Sequence, residues 1–141
     1  MTMNKEEAAV LLSFHSGRNP DIDHPKWTNG FLGSLRKYDE SIQEHNFIEV
    51  MECLKVLSED FKSNTLDRDL MADLFGILYQ TTIWIEEGHL SDLPSDKKDR
   101  IKTWMKIYSY ALTILLDYTD DCYEEAFFAF DDYMNGESDF E

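Results

Sequence analysis

Histidines, cysteines and clustered carboxylates are the residues of this chain that could do chemistry, and their spacing speaks against most of it. The four histidines, His15, His24, His45 and His89, belong to no HExxH or zinc-finger pattern. Glu86-Glu87-Gly88-His89 contains one Glu-x-x-His, whereas a di-iron bundle needs two of these and two further helix carboxylates. Asp21-Ile22-Asp23-His24 offers ligand types in what reads as a solvated loop. A calcium loop counted from Asp131 places Asn135, Gly136 and Asp139 acceptably but puts Tyr133 at its third position and supplies no glutamate at its twelfth. Nucleophile elbows, phosphate loops and dinucleotide fingerprints are absent. Cys53 falls on the inner half of a helix and reads as packing, not as a nucleophile. The expectation is a protein that is not an enzyme and holds no cofactor and no metal.

What remains for the carboxylates is binding. Asp120 to Met134, wound at about 100° per residue, divides into two sides. Asp120, Asp121, Glu124, Glu125, Asp131 and Asp132 share one arc of roughly 140°, and Phe128 falls near its middle. Cys122, Tyr123, Ala126, Phe127, Ala129, Phe130, Tyr133 and Met134 fill the other side. An aromatic set among acids has the form of an interface, in which the aromatic gives affinity and the charges give speed and selectivity. Asp120, Asp121, Glu124, Glu125, Phe128, Asp131 and Asp132 are therefore the candidate partner-binding residues. A second placement for Phe128 is beneath the loop at Arg18 to Lys26.

The elements that must position this helix follow from apolar periodicity. Asn4 caps a helix to His15 that Gly17 ends. Pro20 and Pro25 hold a loop from Arg18 to Lys26. A helix is expected from Trp27 to Tyr38, weakened by Gly30 and Gly33. Ser41 with Glu44, or Asn46, starts another that runs to about Phe61, with Glu49 facing out. Asp67 to Glu87 is apolar nearly all round and reads as the buried central helix, stopped by Gly88. Ser95 caps the next, to about Tyr118, and the acidic helix closes the chain. No strand alternation, repeat or linker interrupts the pattern. The fold class is all-α: one domain over residues 1–141, a bundle of about five to six helices with short loops, loose at 1–3 and 135–141.

Composition narrows the partners. A chain of 141 residues with 43% hydrophobic and 13% aromatic content builds a packed globule. Its net charge of −16 comes from 29 acids against 13 Lys and Arg. Ten of those acids, and no base, lie from Asp117 to Glu141, so the negative field has a direction. Such a surface repels nucleic acid and anionic membrane and speeds encounter with basic proteins. Cys53 and Cys122 stand alone, as reduced thiols do in a cytosol. Without a secretory leader or a span-length apolar run, a cytoplasmic setting is expected.

The order Asp73-Leu74-Phe75-Gly76-Ile77, then Trp84, Leu90, Ser95 and Trp104, resembles the layout of small acidic all-α proteins of bacterial toxin–immunity loci. The resemblance runs from about Asn46 to Asp117 and implies an immunity protein that neutralises a basic toxin or nuclease. It transfers no functional residue. Two other functions fit the composition: a nucleic-acid mimic that inhibits a DNA- or RNA-binding defence protein, and a helical adaptor or homodimer whose apolar surplus lies at an interface. Gly30, Gly33 and the apolar Asp67 to Glu87 segment leave room for the last.

Overall fold

Asn4 starts the first helix by accepting from the Glu7 backbone N–H, while the Glu7 carboxylate reaches back to the Asn4 N–H. The computed structural model describes residues 3–38, 42–117 and 122–136. It holds seven α-helices and no strand among the described residues: α1 (Lys5–His15), α2 (Pro25–Asn29), α3 (Phe31–Arg36), α4 (Glu44–Leu57), α5 (Arg68–Glu86), α6 (Ser95–Leu116) and α7 (Cys122–Met134). A turn of 3-10 helix, Ser58–Lys62, continues α4 past Phe61. The bundle is all-α, as the periodicity predicts, with more helices than five or six because one segment breaks in two.

That break is at Gly30, inside the stretch expected as one helix from Trp27. Pro25 opens α2 at the first helical position, where its missing N–H costs nothing. The His24 ring accepts from the Lys26 N–H and caps the turn. A Cβ at Gly30 would stand 2.5 Å from the Lys26 carbonyl and 3.3 Å from the His15 ring; one at Gly33 would stand 2.3 Å from the Trp27 carbonyl. Both glycines therefore serve close approach. Asn46 is no helix cap: it is buried and donates to the Asn29 carbonyl, tying α4 to the α2–α3 corner. Ser41 lies outside the described residues, and among those described no side chain caps α4. Ser95 is the first residue of α6 and not its cap; Pro94 holds that position and has no side-chain oxygen to accept a cap bond.

The core centres on α4 and α6. Phe47 stacks on Trp104 at 5.3 Å and nearly parallel, and meets Phe130 and Tyr133 edge-on. Tyr108 of α6 is fully buried and donates to the Leu74 carbonyl. Contrary to expectation, α5 is not the central helix. Leu70, Leu74, Ile77, Thr81 and Ile85 pack inward, but Phe75 and Tyr79 face solvent. Gly88 does stop α5, though not by a left-handed turn: a Cβ there would lie 2.8 Å from the Trp84 Cα.

Glu49 also departs from its expected outward place. Its carboxylate lies 2.7 Å from the ring of buried His15 and 2.7 Å from Lys26 Nζ. The Phe31 N–H donates to His15 Nδ1, so the proton of the neutral ring sits on Nε2 and is donated to Glu49. Burial lowers the His15 pKa, and the bond from His15 holds Glu49 down at about 2.

Candidate functional site

Helix α7 is held from behind and open in front. Ala126, Phe127, Ala129 and Phe130 are buried against α6 and the α4 side of the core. At the back of its last turn, Tyr133 accepts from the Trp104 indole N–H at 2.8 Å and donates to the Glu44 carboxylate. Arg100 binds the same carboxylate at 3.1 Å. Tyr133's bond holds the Glu44 pKa down, while desolvation raises that of Tyr133. This chain of donors locks the end of α7 to the start of α4.

Among the candidate binding residues, Asp120 and Asp121 lie outside the described residues. Glu124, Glu125, Phe128, Asp131 and Asp132 come together on the outer face. Phe128 is 40% exposed. Its helix-surface neighbours at i−4, i−3, i+3 and i+4 are Glu124, Glu125, Asp131 and Asp132. An aromatic ring thus stands inside a frame of four carboxylates. The Arg18 to Lys26 loop does not cover it; Arg18 is bound instead to Asp69 and Asp73 of α5. Phe128 leans its edge on Tyr110 of α6, with ring centroids 5.5 Å apart.

The four acids are not equivalent. Asp131 is bridged at 2.8 Å by Lys55, whose ammonium also lies 5.1 Å from the centre of the Phe130 ring. Glu124, Glu125 and Asp132 have no such partner among the described residues. Glu124 and Glu125 suit the positive end of the helix dipole, whereas Asp132 sits in the last turn, where a negative charge is unfavourable by roughly 0.3–1 kcal/mol. Tyr123 and Met134, assigned by periodicity to the packed side, are exposed near the two ends of the helix.

The other candidates for chemistry are engaged in structure. Burial pushes the Cys53 thiol up to about 12, far from a thiolate. His89 donates to the Leu35 carbonyl at 2.7 Å and meets Trp84 edge-on. His24, the cap of α2, also stacks on Phe14. Among the described residues, no three of His, Cys, Asp and Glu converge as a metal ion would require, and no helix is long and apolar enough to cross a membrane. No protein-family model matches the chain, and no curated protein and no solved structure matches it.

Proposed function

We propose that this chain is an acidic protein-binding inhibitor, an immunity protein that neutralises a basic toxin or nuclease in the cytoplasm of a bacterium. The observation that carries the reading is the exposed Phe128 framed by Glu124, Glu125, Asp131 and Asp132. A nuclease presents cations around its active site because its substrate is polyanionic. An acidic face of matching sign approaches that surface quickly, and an apolar anchor keeps it there. Asp132 supports the reading from another side, because its charge works against the free helix. The toxin–immunity layout of Asp73-Leu74-Phe75-Gly76-Ile77, Trp84 and Trp104 points to the same class.

The test is expression, in a heterologous bacterial host, of the gene adjacent to the one encoding this chain, with and without the chain itself. Growth arrest by the neighbour alone, and rescue by the wild type, are expected. Phe128→Ala is expected to weaken rescue by speeding dissociation, and Glu124→Lys with Asp132→Lys by slowing association. A harmless neighbour, or full rescue by all of these variants, would sink the proposal. A partner whose binding follows the charge changes but ignores Phe128→Ala would instead favour nucleic-acid mimicry.

A further inference from the structure

Helix α5 carries a face unlike the rest of this surface. From Leu70 to Ile85 its only charged residue is Asp73, which is buried against Ser16 and Arg18. In a chain with 30% charged residues, that leaves an outer stripe of three helical turns with no charge on it. At its centre Tyr79 is 66% exposed and Phe75 is 44% exposed. Between them Gly76 has nothing within 4 Å of where a Cβ would stand, so no packing among the described residues calls for glycine there. Glycine weakens an exposed helix, and its use where the chain itself does not need it points to a backbone that something else approaches.

The ends of the stripe identify that something. Arg68 and Glu86 are exposed, lie on the same side of α5 as Tyr79, and form no ion pair among the described residues. They are separated by about 27 Å along the axis. An antiparallel, two-fold pairing of α5 with another α5, centred beside Ile77, sets Arg68 of each copy opposite Glu86 of the other. The same operation sets Phe75 against Tyr79 twice, with Gly76 letting the backbones close. Opposite charges at the ends and aromatics in the middle make the face complementary to itself when reversed.

The rest of the molecule permits this approach. Helix α6 meets α7 through Trp104 and Tyr110, and meets α5 through Tyr108 and Met105. Trp104 and Tyr108 stand one turn apart on the same face of α6, and Met105 and Tyr110 lie on either side of that face, about 140° from each other at about 100° per residue. Helix α6 therefore stands between the acidic helix α7 and the uncharged helix α5. Two chains of charge −16 repel each other least when they meet through a face without charge and far from α7.

We infer that the outer face of α5 is a docking surface for a second copy of this chain, joined antiparallel through Phe75, Gly76 and Tyr79 and flanked by two Arg68–Glu86 pairs. A face roughly 27 Å by 10 Å buries roughly 540 Å² over both partners, below the ~1,000 Å² of a stable interface, so the dimer is weak and transient, with dissociation on the order of 100 μM.

Sedimentation velocity on the full chain from about 5 μM to about 1 mM tests it, spanning that affinity on both sides. The wild type passes from monomer to dimer, and Tyr79→Glu stays monomeric. Arg68→Glu and Glu86→Arg each weaken the dimer by about tenfold or more, as like charges then face each other at both ends. The double variant restores it, because the pairs re-form with reversed polarity. Circular dichroism confirms that each variant keeps the helical fold. A wild type that remains monomeric throughout overturns the inference, as does a dimer untouched by Tyr79→Glu. Failure of the double variant to recover overturns the antiparallel arrangement. These changes leave α7 intact, so their outcome is separate from that of the Phe128 variants.

Discussion

The outer faces of α7 and α5 solve the problem of an exposed aromatic in opposite ways. On α7 a single phenylalanine stands within four carboxylates, and the charges keep one copy of the face from meeting another. On α5 two aromatics flank an open glycine on a stripe without charge, with Arg68 and Asp69 at one end and Glu86 and Glu87 at the other. We propose for the first face a partner of opposite sign, and for the second a partner like itself. Their supports differ in the same sense. The acidic face rests on a broad aromatic stack of Phe47, Trp104, Phe130 and Tyr133. The uncharged face is pinned at its N-terminal end by Asp73, which holds Ser16 and Arg18.

Removing the support of α7 has the largest expected effect. Trp104→Ala empties a fully buried site, strips Tyr133 of its donor and unstacks Phe47, at a cost of about 3–5 kcal/mol. Denaturant unfolding measures the loss, and hydrogen exchange locates it. Protection should fall most in α7 and the start of α4, and less in α5. Uniform loss along the chain would show that the two faces do not have separate supports. Arg18→Ala makes the converse cut. It leaves the Asp73 carboxylate buried with Ser16 alone, and because Arg18 is itself partly exposed the cost is about 2 kcal/mol. Exchange should now rise in the first turns of α5 while α7 stays protected.

Acid should act on the α1 side before it reaches the acidic face. His15 and Glu49 both have lowered pKa values in the folded chain, so the unfolded chain binds more protons. The stability they supply is complete above the ordinary histidine value of about 6.5. It is lost first as His15 protonates in the unfolded chain, then as Glu49 is drawn from its ordinary value toward about 2. His15→Gln should therefore flatten the decline between about pH 6.5 and pH 5, read from urea midpoints across pH. An unchanged slope would mean that His15 is not held neutral.

The architecture was legible in the sequence because it rests on local signals. Asn4 with Glu7, Asp67 before α5 and Gly88 after it each mark a boundary through neighbours within a few residues. The division of α7 into an acidic front and an aromatic back was equally readable, since helical geometry alone decides it. What periodicity could not supply is which other element arrives. Tyr123 and Met134 read as packed, yet each is left about half exposed at an end of α7. Glu49 read as exposed until His15 and Lys26, from distant segments, met it. Gly30 and Gly33 read as a weak helix, and became a corner because carbonyls and the His15 ring crowd them. Apolarity around α5 gave no means of telling a central helix from one that leaves Phe75 and Tyr79 exposed. For the acidic site, residue types and spacing named the frame around Phe128, but only the fold shows that Lys55 has already claimed Asp131.

The smallest change contrasts the two uses of charge most directly. Asp132 occupies the last turn of α7, has no cation beside it among the described residues, and shares its face with Glu125 and Asp131. Asp132→Lys replaces a charge opposed by the helix dipole with one that it favours, and eases the repulsion within the front. The free protein should gain about 0.5 kcal/mol, more at low salt than at high. Capture of a basic partner should slow in the same variant, because the field that draws it has been weakened. A stabilised chain that binds more slowly would mean that this acid is kept for the encounter at the expense of the fold. A destabilised one would mean that Asp132 has a structural partner that its surroundings do not reveal, and the frame around Phe128 would then lose the acid least explained by folding.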